Sequence, residues 1–181
     1  GLIGTIAAYS LRGAQLTGNA MGLIDPVMLG LLWDTAVGEV LRLRCIGLSV
    51  LLLGLVIPRF GPVLSSLGGA IALSSFAQVG HVQGLEPVWP QALLVAHLLG
   101  IAFWIGILLP LSRLWRMPKL EPAATVGHRF GKIAMATVPA LIVAGIVLAW
   151  ILVPTLRHLW KTEYGLGLLG KTGIVALLLL M

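Results

Sequence analysis

Three stretches of the chain, residues 60–85, 87–112 and 133–156, contain no Asp, Glu, Lys or Arg. Each is long enough to cross a bilayer, which requires about 20 predominantly apolar residues in a helix. Only 10% of the 181 residues are charged and 59% are hydrophobic, whereas a soluble domain carries about 25% charged residues. The sequence therefore excludes a water-soluble enzyme, and we expect no enzymatic activity. It predicts an all-α fold, a polytopic transmembrane helical bundle.

Apolar runs bounded by charge, Pro or Gly predict six membrane spans within a single integral-membrane domain, residues 1–181. The predicted spans are residues 1–11, 35–57, 63–81, 90–111 and 130–153, and a last one that starts at 166. Pro58 and Pro62 separate the second span from the third, because proline cannot continue a helix through its interior. The first and last spans are too short to cross a bilayer. We therefore expect both to be truncated and the chain to be a fragment of a longer protein.

The net charge of +6 comes from basic residues at the ends of apolar runs. A nucleic-acid-binding protein would carry them as a continuous basic patch, so we expect no nucleic-acid partner and a lipid bilayer instead. The densest cluster joins the fourth and fifth spans and comprises Arg113, Arg116, Lys119, Arg129 and Lys132. The positive-inside rule places this connection in the cytoplasm. Alternation of the spans then places the connection between the third and fourth spans outside.

Small residues recur four positions apart in several predicted spans, as in Gly68 and Ala72 or Ala96 and Gly100. This spacing is typical of transmembrane helices whose backbones approach closely. Because Ala102 and Gly106 repeat the pattern, we expect the fourth span to pack tightly along both Gly100 and Gly106. The sequence thus predicts packing seams made of small residues.

Three of the four histidines, His81, His97 and His158, fall near the predicted outer membrane surface. Ionisable side chains inside a bilayer are costly and therefore indicate function. Imidazole binds copper, zinc, iron and nickel, and thioether sulfur, available at Met21 and Met28, favours Cu(I). No two of these histidines have the four-residue spacing of a helical metal site, so packing and interfacial roles stay open as alternatives. Ser74 and Gln78 precede His81 at helical spacing, which predicts a polar stripe below it.

Several short motifs occur in a familiar order along nearly the whole chain. Within the fourth span these are His97, Trp104-Ile-Gly106 and Pro110-Leu111. Elsewhere they are Leu16-Thr17-Gly18, Asp25, Thr35, Gly38, Arg44, Gly80-His81, Arg129-Phe130, Thr162-Glu-Tyr164-Gly165 and Lys171. In this order they resemble the copper resistance protein D (CopD) family. Val79 stands where that family usually has Ser.

The resemblance implies a multi-pass protein of the bacterial inner membrane that takes copper from the periplasmic side and moves it across the membrane. By this resemblance, the family's functional histidines correspond to His81 and His97. The resemblance also suggests a periplasmic copper-binding partner of the CopC type. We add His158 as a third candidate metal ligand. Candidate ligands on the family's first helices are absent here. Two alternatives stay open: a redox protein with haem held by axial histidines, and an assembly subunit without a ligand.

The orientation can be tested with a cysteine at Lys119 in a chain whose native Cys45 is replaced by Ala. We expect a membrane-impermeant thiol reagent to leave this cysteine unmodified in intact cells, because the basic connection should face the cytoplasm. Rapid labelling in intact cells would contradict the orientation, and with it the outer placement of the histidines.

Overall fold

The computed structural model describes residues 1–80, 86–114 and 121–152, together with 165–167, 169–170 and 172–173. All regular structure in these ranges is helical, which confirms the all-α prediction. The α-helices are α1 (Leu2–Thr17), α2 (Pro26–Trp33), α3 (Ala36–Val56), α4 (Gly61–Ser74), α5 (Trp89–Leu114) and α6 (Glu121–Leu152). Short 3₁₀ helices follow α1 at Ala20–Leu23 and α4 at Ser75–Gln78.

Two helical segments, Trp89–Leu114 and Thr125–Leu152, are long and apolar enough to cross a membrane. They correspond to the predicted fourth and fifth spans, although α6 begins well before residue 130, at Glu121. The predicted second span corresponds to α3. The first predicted span continues beyond residue 11 to Thr17, and the short stretches described after 165 are helical. The structure is therefore that of a helical membrane protein, and the count of six spans stays a prediction.

The third predicted span is not one continuous α-helix. The α-helix α4 ends at Ser74, and the chain continues as a 3₁₀ helix through Gln78. Because a 3₁₀ helix has about 3.0 residues per turn and an α-helix about 3.6, the faces of the two segments do not stay aligned. Ser74 donates its hydroxyl to the Ile71 carbonyl at 2.7 Å, within its own helix. Ser74 and Gln78 therefore do not share one α-helical face as predicted, and the part of the predicted polar stripe at His81 lies outside the described residues.

Local capping sets the boundaries of the first helices. Asp25 begins α2 by accepting hydrogen bonds from the backbone N–H groups of Val27 and Met28 at 2.9 and 3.4 Å. Thr35 begins α3 in the same way, with the Val37 N–H at 3.2 Å. These side chains satisfy N–H groups that the first helical turn leaves unpaired. Gly18 ends α1 with φ of 64°, a left-handed conformation that glycine adopts without a steric penalty.

Helices α3 and α4 are antiparallel and approach to backbone contact along glycines. A Cβ atom built on Gly68 would lie 2.5 Å from the Gly47 carbonyl oxygen, and one built on Gly54 would lie 2.7 Å from the Gly61 carbonyl oxygen. Real side chains essentially never approach this closely, so only glycine fits. The seam predicted at Gly68 and Ala72 is confirmed, since the backbone of both faces Gly47. On α3 the contacts are made by Gly47 and Gly54. These two glycines lie seven residues apart, so a search for four-residue spacing does not find them.

Helices α5 and α6 are also antiparallel, and Gly100 lies at their contact. A Cβ on Gly100 would lie 2.6 Å from Cδ2 of Leu141, whereas one on Gly106 would have no neighbour within 4 Å among the described residues. Close packing at Gly100 is confirmed, and the prediction for Gly106 is wrong. Six residues turn an α-helix by about 600°, which is about 240° beyond one full revolution. Gly106 consequently lies on a different face of α5.

Two adjacent glycines of α4 test this packing. We expect Gly68→Ala to lower the free energy of unfolding by about 1–3 kcal/mol, the usual range for overpacking, because its methyl group meets the α3 backbone. Gly69→Ala is the matched control, since its Cβ would meet only Cδ1 of Leu51, at 3.9 Å. Denaturation of the purified proteins in detergent measures both effects. Equal stability of the two variants would contradict the seam.

Candidate functional site

His97 lies on the face of α5 that packs against α6. Its imidazole covers Gly145: a Cβ built on that glycine would lie 3.4 Å from Cε1 and 4.0 Å from Nε2 of His97. The Nδ1 atom is shielded from solvent and makes no hydrogen bond of ordinary geometry with the described residues, although the backbone of Leu141 lies beside the ring. His97 therefore presents a buried nitrogen without a satisfied partner, which is costly in an apolar environment.

Trp104 lies seven residues further along α5, on the same face as His97. Its Nε1 is likewise buried without a hydrogen-bond partner among the described residues. Its indole packs against Phe130 of α6, with ring centroids 6.1 Å apart and planes inclined by 51°. The predicted face formed by His97, Gly100 and Trp104 is thus confirmed, and it faces α6. The identity of its partner helix could not be read from the sequence.

The other two candidate ligands, His81 and His158, lie outside the described residues. His128 is described and is exposed on α6. Within the described part of the chain, no three His, Cys, Asp or Glu side chains converge in a way that could hold a metal ion. A site shared by His81 and His97 accordingly stays a prediction, and only its His97 component is described.

A second polar cluster joins α3 to the end of α4. Arg44 donates from Nε to Oγ of Ser75 at 2.9 Å, and its guanidinium lies 4.7 Å from the centre of the Phe76 ring. Ser75 is fully buried and donates its own hydroxyl to the Ala72 carbonyl at 2.7 Å. In the sequence, Arg44 stood out only as one residue of the family motifs, and its partner Ser75 was not identified. No sequence signal distinguishes Ser75 from Ser74 beside it.

A cavity of about 220 Å³ opens between α1 and α3, which we call the α1–α3 cleft. Its polar lining consists of Thr5, Tyr9 and Arg12 on α1 and Arg44 on α3. The Tyr9 hydroxyl donates to the Leu29 carbonyl at 2.5 Å, which fastens α2 to α1. Arg44 thus lines this cavity while it contacts Ser75.

Arg42, two residues before Arg44, makes different contacts. It donates from Nη1 to the Trp33 carbonyl at 3.0 Å, and its guanidinium lies 5.1 Å from the centre of the Trp33 ring. The pairing of Arg42 with Glu39, which their three-residue spacing permits, is replaced by this contact with the end of α2. The two arginines of α3 therefore make different contacts: Arg42 with the end of α2, and Arg44 with the residues that follow α4.

The fold and its polar groups define a helical protein with membrane-capable helices and a half-buried histidine at a helix interface, whose Nδ1 has no hydrogen-bond partner of ordinary geometry among the described residues. The chain belongs to the copper resistance protein D family. The family model "Copper resistance protein D" matches residues 124–181, and the model "Copper resistance protein D-like, N-terminal domain" matches residues 1–90. The resemblance seen in the sequence motifs is thereby confirmed.

A curated relative supports this assignment. The chain is 28% identical over 89 residues to a protein of Bacillus subtilis (strain 168) named "Copper transport protein CutJ". The match covers 47% of this chain and 16% of the relative, so it spans a small part of that longer protein. No solved structure matches the chain.

The contact between Arg44 and Ser75 can be measured by a double-mutant cycle. We expect Arg44→Gln and Ser75→Ala each to lower the free energy of unfolding by about 1–3 kcal/mol, because each leaves a partly or fully buried polar group unpaired. The double variant should lose less than the sum, as expected for residues in direct contact. Ser74→Ala is the control, since that hydroxyl bonds only within its own helix. Strict additivity of the two changes would contradict the contact.

Proposed function

We propose that this protein binds copper as a transported substrate and moves it across the bacterial inner membrane. The proposal draws on membership of the copper resistance protein D family and on the relative named as a copper transport protein. The transmembrane helices supply the route, and the chain performs no catalytic step. Uptake of copper from the periplasmic side, with delivery by a CopC-type partner, completes the proposal.

The buried Nδ1 atom of His97 is the observation that carries this proposal. A neutral imidazole has one nitrogen with a free lone pair, and such a nitrogen is a good ligand for copper. Among the side-chain atoms of the described residues, His97 Nδ1 and Trp104 Nε1 are buried without a hydrogen-bond partner, and of the two only the imidazole nitrogen can offer a lone pair. A metal ion bound at His97 would replace the missing hydrogen bond. The donor chemistry of this residue therefore fits copper.

One histidine does not hold copper alone, and we propose His81 and His158 as further ligands. His81 directly follows Gly80, whose φ of 88° lies in the left-handed region and turns the chain at the end of the 3₁₀ helix. Met21 and Met28 are available as thioether ligands for Cu(I). Met28 belongs to α2, which Tyr9 fastens to α1 through Leu29. This chemistry favours a site of mixed nitrogen and sulfur donors.

Trp104 marks the proposed direction of movement. It lies about 10 Å beyond His97 along α5, since each residue adds about 1.5 Å to a helix. Its unpaired Nε1 and the His97 Nδ1 are the two buried polar atoms without partners in the described residues, and both face α6. We propose that copper passes along this interface from His97 towards the cytoplasm. The electron-rich ring face of the Trp104 indole, not its N–H donor, would attract a cation on this route.

Histidine variants test the copper site. We expect His97→Ala and His81→Ala each to abolish most copper binding by the purified protein, with little further loss in the double variant, because the two residues would act as one unit. His158→Ala should weaken binding if it is a third ligand. His128→Ala is the control, since this exposed histidine lies on α6 away from the proposed site. Elemental analysis after dialysis against copper measures the bound metal.

Three results would contradict the proposal. The first is full copper binding by the His97→Ala variant with an unchanged melting temperature. The second is an equal loss of binding in the His128→Ala control. The third is a Soret band in the purified protein, which would indicate haem held by axial histidines instead of copper.

A further inference from the structure

The α1–α3 cleft has a lining that does not suit a copper ion. One face of α1 contributes Thr5, Tyr9 and Arg12, at offsets of four and seven residues, and the opposing face of α3 contributes Val40 and Arg44. Because the helices run in opposite directions, Arg12 and Arg44 lie towards opposite ends of the cleft. The two basic side chains therefore frame one cavity of about 220 Å³.

The cleft combines two positive charges with apolar walls. None of its described lining residues is acidic, and Ala8, Val40 and Leu41 make up much of the wall. Asp34 and Arg42 are close enough to Tyr9 to interact with it electrostatically, but neither lines the cleft and their charges offset one another. Two cationic side chains at one cavity, with no acidic residue in its described lining, create a positive potential that attracts anions. The cleft consequently favours a negatively charged occupant.

The guanidinium of Arg44 is held in position to bind such an occupant. Its Nε is bonded to the buried Ser75 hydroxyl, and its flat face rests on the Phe76 ring. Its two terminal nitrogens have no acceptor among the described residues. A guanidinium fixed in this way loses little conformational freedom on binding and offers parallel N–H donors to a phosphate or carboxylate. Arg12, exposed and bonded to Gln15 through Nη1 at 3.1 Å, supplies the second charge.

We propose that the α1–α3 cleft is a binding site for a phosphate-class anion, either the phosphodiester headgroup of an anionic lipid or free phosphate. Arginine is well suited to phosphate because its planar fork matches two phosphate oxygens. The cavity is smaller than the roughly 300–1,000 Å³ of sites for drug-sized ligands, so it suits a compact headgroup. The apolar walls suit the carbon chain next to a lipid phosphate.

This site is separate from the proposed copper path. The cleft lies between α1 and α3, whereas His97 and Trp104 face α6. The argument uses neither copper nor the histidines. Anion binding can therefore be tested, and can fail, independently of copper binding.

The test uses the whole chain in nanodiscs and measures its melting temperature. One arm titrates inorganic phosphate into phosphatidylcholine nanodiscs, with sodium chloride at matched ionic strength as reference. The other arm replaces part of the phosphatidylcholine by phosphatidylglycerol. Stabilisation by phosphate identifies a free anion as the ligand, and stabilisation by phosphatidylglycerol alone identifies a lipid headgroup, because a ligand that binds only the folded state raises its stability.

Variants assign the effect to the cleft. We expect Arg44→Gln and Arg12→Gln each to weaken the stabilising ligand by about tenfold or more, the factor expected for losing a charge-assisted hydrogen bond. Arg59→Gln is the charge-matched control, because this exposed arginine lies in the turn between α3 and α4, beside Phe60. Arg12 is exposed at the edge of the cleft, so its variant keeps the test valid even if Arg44→Gln impairs folding.

Three outcomes would overturn the proposal. The first is the absence of stabilisation by both phosphate and phosphatidylglycerol relative to their references. The second is unchanged ligand stabilisation in the Arg12→Gln variant. The third is an equal loss in Arg59→Gln, which would show a general effect of net charge instead of a site.

Discussion

Direct backbone contact between α3 and α4 is the constraint on which the rest of the structure depends. Lipid provides no hydrophobic driving force between apolar helices, so close packing must hold them together. Gly47, Gly54, Gly61 and Gly68 permit this approach because any side chain there would meet the opposing backbone. Arg44 belongs to α3 and Ser75 directly follows α4, so the packing of these two helices brings the two residues into contact. The position of Arg44 in the α1–α3 cleft therefore depends on the packing of α3 against α4.

The polar groups within the apolar bundle are divided between two interfaces. The buried nitrogens of His97 and Trp104 face α6, and the guanidinium of Arg44 faces the opposite neighbour, α1. Arg44 and His97 each lie eight residues into their helices, about 12 Å along the axis. The proposed cation and anion sites therefore use ligands from different interfaces.

The comparison of sequence and structure shows which signals are dependable in a membrane chain. Uncharged runs located the cores of α5 and α6, and the predicted start of the second span at Thr35 agrees with the observed helix start. Spacing of small residues was less reliable: it identified Gly68 and Gly100 correctly, missed Gly47 and placed Gly106 wrongly. Four-residue spacing shows that a helix can pack closely on some face. The spacing does not specify which helix packs there, and a Cβ on Gly106 would meet none of the described residues.

The sequence alone determined the helical membrane class, the approximate spans, the family and His97 as a candidate ligand. These follow from local quantities: charge, hydropathy and short motifs in order. Only the tertiary structure decided that His97 covers Gly145, that Ser75 and not Ser74 binds Arg44, and that two arginines frame one cleft. The physical reason is that membrane helices are apolar on nearly every side, so hydrophobic periodicity does not mark the buried face. Helix rotation is set by contacts between residues far apart in the chain, such as Gly47 with Gly68 and Gly100 with Leu141.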